Sequence, residues 1–175
     1  MESGKDVYFG REKCFIIAEI GANHNRSLPL AKELVDAAVE ARADAVKFQI
    51  YSAETLYSKK TPRHSGYDKA LFSLIKEIET PREWLPELSS YCERKGIVFF
   101  ATPFDARAVD ELDEVSGLFK IASFEIVDLP LLGYCASKKK PMIISTGLAN
   151  LEEIEDADLT CRKAGNEQVA FLQCA

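Results

Sequence analysis

The sequence predicts an α/β fold built on a parallel sheet, and three observations predict it. Six short runs of near-continuous apolar residues recur along the chain, as in strands covered on both faces. Most runs are followed by a helix start signal, and strand alternating with helix implies parallel pairing. Polar residues then gather where the runs finish, which in a (β/α) barrel is the face on which distant segments converge.

The first run, Cys14 to Ile20, leads to Ser27 and Pro29, a cap and a first-turn proline ahead of the stripe Leu30, Leu34, Ala37, Ala38, Ala41. The second run is Ala45 to Ile50. A long connection follows from Tyr51 to about Thr80, with a polar stretch Ser58-Lys59-Lys60-Thr61-Pro62-Arg63-His64 that reads as an excursion over the mouth of the sheet. A short helix is expected at Leu71 to Ile78. Thr80-Pro81-Arg82-Glu83 has the Thr and Glu of a capping box with proline between them. The third run, Ile97 to Ala101, precedes Asp105 and the apolar pair Val109 and Leu112. The fourth, Leu118 to Ala122, precedes Asp128 and Pro130. The fifth, Met142 to Ser145, precedes Asn150-Leu151-Glu152-Glu153, a cap with an acid at its third helical position, and the sixth is Val169 to Cys174.

The polar residues at the run ends are Glu19 with Asn23 and His24, Lys47 with Gln49, Thr102, Lys120 with Ser123 and Glu125, Ser145 with Thr146, and Gln173. The lysines say most. An ammonium flanked by Val, Phe and Ile is costly to bury unless it meets an anion, so Lys47 and Lys120 each ask for a negatively charged partner. A ligand is one such partner; an adjacent Asp or Glu, or a stem that snorkels to the rim, is the other reading.

With 175 residues and no Pro/Gly/Ser-rich linker, the chain is one domain's worth. A net charge of −6 argues against nucleic acid as a partner, and the triplet Lys138-Lys139-Lys140 reads as a helix end complementing its dipole. Cys14, Cys92, Cys135, Cys161 and Cys174 are odd in number and lack C-x-x-C spacing, which suits reduced thiols of a cytoplasmic protein. No signal peptide or long apolar span appears, so a membrane location is not expected. A closed barrel of eight βα units takes roughly 250 residues. Six strands in 175 residues therefore predict an incomplete TIM-barrel type, the N-terminal portion of a longer catalytic domain, with the last strands and any small C-terminal domain absent.

From about Phe15 to Cys174 the chain resembles the sialic acid synthase family. The resemblance rests on five strings in order: Ile16-Ile17-Ala18-Glu19-Ile20-Gly21-Ala22-Asn23-His24-Asn25, Ala43-Asp44-Ala45-Val46-Lys47-Phe48-Gln49, Ala101-Thr102-Pro103-Phe104-Asp105, Phe119-Lys120-Ile121-Ala122-Ser123-Phe124-Glu125, and Ile144-Ser145-Thr146-Gly147. Phe124, where the N-acetylneuraminate branch tends to carry glycine, is similar to the pseudaminic acid synthases. A phenyl ring in place of a hydrogen would reshape a pocket wall and with it substrate choice.

The resemblance implies condensation of phosphoenolpyruvate with an N-acylated amino sugar. C3 attacks the open-chain aldehyde, water adds at C2, and phosphate leaves by C–O cleavage. It implies that Lys47 and Lys120 grip the phosphate and carboxylate, helped by the hydroxyls of Thr102, Ser123, Ser145 and Thr146. Glu19 would manage protons or orient a lysine, Gln49 and Glu125 would contact the sugar, and Asn23 and His24 would line the pocket. His64, in the polar connection with no motif around it, reads as a surface group. Arg26 stands where glycine is common in the family, so a positive φ in that turn would fall to Asn25. The resemblance also implies a divalent metal, Mn²⁺ or Mg²⁺, and a homodimer at full length. Gln173 replaces a histidine ligand, and an amide oxygen alone cannot hold the ion.

Two other readings stay open on the residues. A Schiff-base aldolase would use Lys47 or Lys120 as a nucleophile, since two ammonium groups in one pocket depress each other's pKa. Alternatively the chain is an inactive truncated fragment.

Overall fold

Alternate residues along each strand face two different surroundings, and the site follows from that alternation. The structure is a computed structural model describing residues 14–63 and 69–174, so His64 lies outside the described residues. Six strands, β1 (Ile17–Gly21), β2 (Ala45–Ile50), β3 (Val98–Pro103), β4 (Phe119–Ile121), β5 (Met142–Ser145) and β6 (Val169–Leu172), form one parallel sheet in sequence order. Helices α1 (Leu28–Glu40), α2 (Ala53–Leu56), α3 (Leu71–Ile78), α4 (Leu85–Lys95), α5 (Ala106–Val115), α6 (Leu129–Ser137) and α7 (Leu151–Lys163) make the crossovers. This is an incomplete barrel of the TIM type, as the alternating runs predict.

One strand parity packs against helices. Ile20, Val46, Phe48, Ile50, Phe99, Ala101, Phe119, Ile121, Met142 and Ile144 join Val35, Leu88, Leu112, Leu132 and Cys161 in a single buried cluster. The other parity forms a smaller cluster of Ala45, Phe100, Leu118 and Ile143, with Phe15, Ile17 and Val98 against it. Two residues farther along each strand the same parity turns polar: Glu19 after Ile17, Lys47 after Ala45, Thr102 after Phe100, Lys120 after Leu118, Ser145 after Ile143. The period of two puts these five on one face of the sheet, above an apolar floor.

Most helix starts are where the sequence signals them. Ser27 accepts from the Leu30 N–H, Asp105 from Ala108, Asp128 from Leu131, and Asn150 forms a capping box with Glu153. Two expectations are corrected. In α1 the buried stripe is Ala31, Val35 and Ala38, about one residue out of step with the predicted one. Small side chains there let the helix sit close to the sheet. Thr80 caps no helix: a 3₁₀ turn at Arg82–Trp84 intervenes, and its hydroxyl bonds Gln49 of β2 instead. The triplet Lys138–Lys140 does close α6, but its side chains serve neighbouring helices. Lys139 reaches the Ala164 carbonyl at the end of α7, while Lys140 reaches Asp113 and Ser116 at the end of α5. Among the described residues, no helix is long and apolar enough to cross a membrane.

Candidate active site

At the carboxyl end of the sheet the polar row converges. Lys120 is 6 % exposed in the middle of it. Its ammonium donates to Ser145 Oγ at 2.5 Å and to the Ile121 carbonyl, and among the described residues it forms no ion pair. Burial, then the charge of Lys47, push its pKa down to about 8, against weaker opposing pulls from Cys174, Glu19 and Glu125. The two lysines therefore share one electrostatic environment. Lys47, also buried, pairs with the half-exposed carboxylate of Glu19, so the acid-partner reading holds for this lysine and not for Lys120.

Around the lysines the polar atoms are pre-aimed. Thr102 is fully buried and among the described residues its hydroxyl has no partner, an orphan that a ligand oxygen would satisfy. Gly21 stands at φ +56°, and a Cβ there would lie 3.1 Å from Glu19 Oε1 and 3.4 Å from Gln49 Oε1. Only glycine lets those two side chains close over the end of β1, where the β1–β2 register also shifts. On the far side, a Cβ on Gly147 would lie 3.0 Å from both Ser123 Oγ and Cys174 Cβ. Cys174 was not singled out by any spacing. Its thiol takes hydrogen bonds from Ser145 and Ser123, which with the Gly147 N–H and the Lys120 charge lower its pKa. Parity carried past the end of β6 is the one signal that could have found it.

Glu125 begins a 3₁₀ turn, Glu125–Val127, directly after β4. Among the described residues its buried Oε2 has no partner, and burial raises its pKa, with Asp128 adding to that, against the lowering effects of its own backbone N–H and of Lys120.

Four of the expected site residues are placed otherwise. His24 is fully buried and does not line the mouth. Its ring stacks on Phe48 at 6.2 Å and meets Trp84 edge-on at 5.7 Å, in the layer between sheet and helices. Asn23 is exposed in the turn after β1, where its N–H bonds the Ile20 carbonyl. Thr146 is buried, and its hydroxyl hydrogen goes to Leu172 O at 3.0 Å, stitching β5 to β6, so it is not offered to a ligand. Gln173 is exposed, with its amide nitrogen on the Cys174 carbonyl at 3.1 Å. Among the described residues no three His, Cys, Asp or Glu gather in metal-binding reach. In the turn itself both Asn25 (φ 48°) and Arg26 (φ 55°) are left-handed, one residue more than the sequence predicts.

Residues 34–175 match the family model described as "NeuB family". The chain is 45% identical over 152 residues to the N,N'-diacetyllegionaminic acid synthase of Legionella pneumophila, covering 82% of this chain and 42% of that protein. It is 40% identical over 166 residues to the pseudaminic acid synthase of Helicobacter pylori, covering 91% and 49%. Among solved structures, an N-acetylneuraminic acid synthetase of Leptospira borgpetersenii serovar Hardjo-bovis, in complex with citrate, superposes with a TM-score of 0.84 at 35% identity, covering 95% of this chain and 55% of that one. The chain spans about half the length of the curated relatives it matches.

Proposed function

This chain belongs to the NeuB family, and from that and from its buried lysine we propose that it carries the phosphoenolpyruvate-binding half of a synthase that makes nonulosonic acids. The observation that carries the reading is Lys120: a buried ammonium that among the described residues has no acid partner, beside a second lysine and an orphaned threonine hydroxyl. A cation in that setting gains most from a small, multiply charged anion.

Lys120, Ser145, Ser123 and Thr102 cradle the phosphate, and Lys47 takes the carboxylate. When the anion arrives, Lys47 exchanges Glu19 for it, and the released carboxylate becomes the base that directs water to C2. C3 of the enol attacks the sugar aldehyde, Glu125 supplies the proton that the new alkoxide needs, and phosphate departs with the C2–O bond. Gln49 holds the acceptor sugar's hydroxyl or amide groups. The acceptor is an N-acylated amino sugar, and the ring of Phe124, 76 % exposed after β4, is the side chain this reading assigns to its selection.

The test is release of inorganic phosphate from phosphoenolpyruvate by the full-length protein, dependent on an N-acylated amino sugar and abolished in Lys120→Met. Absence of sugar-dependent release across N-acetylmannosamine and diacetamido sugars would overturn it. The depressed pKa of Lys120 favours one other reading, a Schiff-base aldolase. Borohydride trapping with pyruvate separates the two, because only the aldolase yields an adduct on Lys120.

A further inference from the structure

His24 is a buried histidine that the proposed reaction leaves without a role. Both of its ring nitrogens are engaged. Nδ1 accepts from the Arg26 N–H at 3.0 Å, and Nε2 lies 2.8 Å from Thr80 Oγ1. The Thr80 hydroxyl has a single hydrogen, and it goes to the Gln49 carbonyl at 3.0 Å. Nε2 must therefore carry the proton that Thr80 accepts, which makes His24 the neutral Nε2–H tautomer. Burial, which pushes the imidazole pKa down, acts in the same direction.

The result is a directed relay, from the Arg26 N–H through His24 and Thr80 to Gln49, across a sequence distance of 56 residues at its longest step. Its surroundings keep it in place. Arg26 holds its left-handed backbone while its side chain bonds the Lys76 carbonyl at 2.9 Å. Glu79, next to Thr80, accepts from the Ala53 N–H and pairs with Lys76 at 2.8 Å and Arg26 at 4.0 Å. Those three are the charged groups packed about the histidine from its own turn and from the end of α3. From β2 and from the turn into α4 the rings of Phe48 and Trp84 pack against it.

We propose that His24 is a positioning residue: through Thr80 it fixes the end of β2, and so sets where the Gln49 side chain meets the acceptor sugar. The relay starts from the turn after β1 and ends beside Gly21, where Gln49 and Glu19 converge. The proposal rests on the reading of Gln49 as a sugar contact, and the test separates the two.

Imidazole nitrogen shifts in the wild-type protein should report an acceptor Nδ1 and a protonated Nε2 from about pH 6 to pH 8. The opposite tautomer, or an imidazolium in that range, would overturn the relay. His24→Phe keeps a ring between Phe48 and Trp84 but removes both hydrogen bonds, Thr80→Val breaks the next link, and Thr80→Ser preserves it. The Gln49 side-chain amide resonances should move in the first two variants and return in the third. The sugar KM should rise about tenfold in His24→Phe and Thr80→Val, the equivalent of one buried hydrogen bond, with the phosphoenolpyruvate KM unchanged. The double variant should be no worse than the poorer single one. Unmoved Gln49 resonances, or lower thermal stability and kcat with neither KM changed, would show a merely structural histidine. If no variant, wild type included, uses a sugar, the functional reading fails, and the Gln49 resonances still decide the positioning role.

Discussion

Anion binding at Lys120 should be coupled to proton uptake. Without a ligand, burial and then the charge of Lys47 push the pKa of the ammonium down to about 8, and among the described residues no acid pairs with it. A phosphate monoester has its second pKa near 6, so above pH 7 the ligand itself no longer titrates. A dianion in contact with Lys120 favours the charged lysine and returns its pKa towards the ordinary range. If only the ammonium form binds, affinity falls about tenfold between pH 7 and pH 9, and binding at pH 8 takes up about half a proton. Titration calorimetry of phosphoenolpyruvate in two buffers of different ionisation enthalpy reads both quantities. Lys120→Met should bind more weakly at every pH and show neither the slope nor the uptake. A wild-type Kd that is flat across that range, with no buffer dependence of the heat, would refute the claim that an unneutralised lysine forms the site.

The same lysine makes a stability prediction. Its pKa in the folded chain lies below the ordinary 10.5, so between about pH 8 and 10.5 the unfolded chain holds more of this group's proton, and the lysine's own contribution to stability rises with pH, by about 3 kcal/mol in the limit. Lys120→Met should remove that rise and be the more stable protein at neutral pH, which denaturant titrations at pH 7 and pH 9 would read. Three thiols act in the opposite direction: burial raises Cys92 and Cys135 to about 12 and Cys161 to about 11, so above the thiol's ordinary 9 the unfolded chain releases protons that the folded chain keeps. The thiols outweigh the lysine there, and stability should fall by up to about 3 kcal/mol per pH unit, a slope that Cys92→Ala or Cys135→Ala lessens by about 1.4 in thermal unfolding series. Gly147→Ala should push Ser123 and Cys174 apart, weakening phosphate binding by about tenfold at a stability cost of about 1 kcal/mol. An unchanged Kd in that variant would place Ser123 outside the anion site.

The sheet and the lysine pair were legible because strand periodicity is local. Once Ala45 to Ile50 is a strand, Lys47 must share a face with Ala45 and Gln49, and the same count puts Lys120 above Leu118. What sequence reasoning missed depends on partners far away in the chain. Thr80 has the spacing of a helix cap, but its hydroxyl is claimed by Gln49 and His24, 31 and 56 residues distant. His24 follows a strand in a turn, the place for a pocket residue, and Phe48 with Trp84 draws it into the helix-facing layer. Thr146 sits one residue past Ser145, so the alternation that aims Ser145 at Lys120 turns Thr146 away towards β6. Ala53–Leu56 carries too few residues to announce a helix by periodicity; its first N–H is held by Glu79, again from a distant segment.

The two lysines are not equivalent, and the difference orders the chemistry. Lys47 already has a counter-ion in Glu19, so anion binding there replaces one carboxylate by another and changes little in net charge. Lys120 has hydroxyl and carbonyl partners that solvate its charge without cancelling it. The desolvation of that ammonium is unrecovered until an anion arrives, so the free energy of binding concentrates on Lys120 while Lys47 supplies orientation. In the proposed reaction Glu19 then loses its lysine at the moment the substrate is in place, and a carboxylate that is a structural partner in the unloaded site becomes available for proton transfer only in the loaded one. Glu19→Gln should therefore leave phosphoenolpyruvate binding nearly intact, since Lys47 no longer has a competing acid, while lowering kcat by about a hundredfold or more. Rapid-quench measurement of the first turnover would separate the two effects. A variant that binds phosphoenolpyruvate much more weakly, with its single-turnover rate preserved, would mean that Glu19 only holds Lys47 in place.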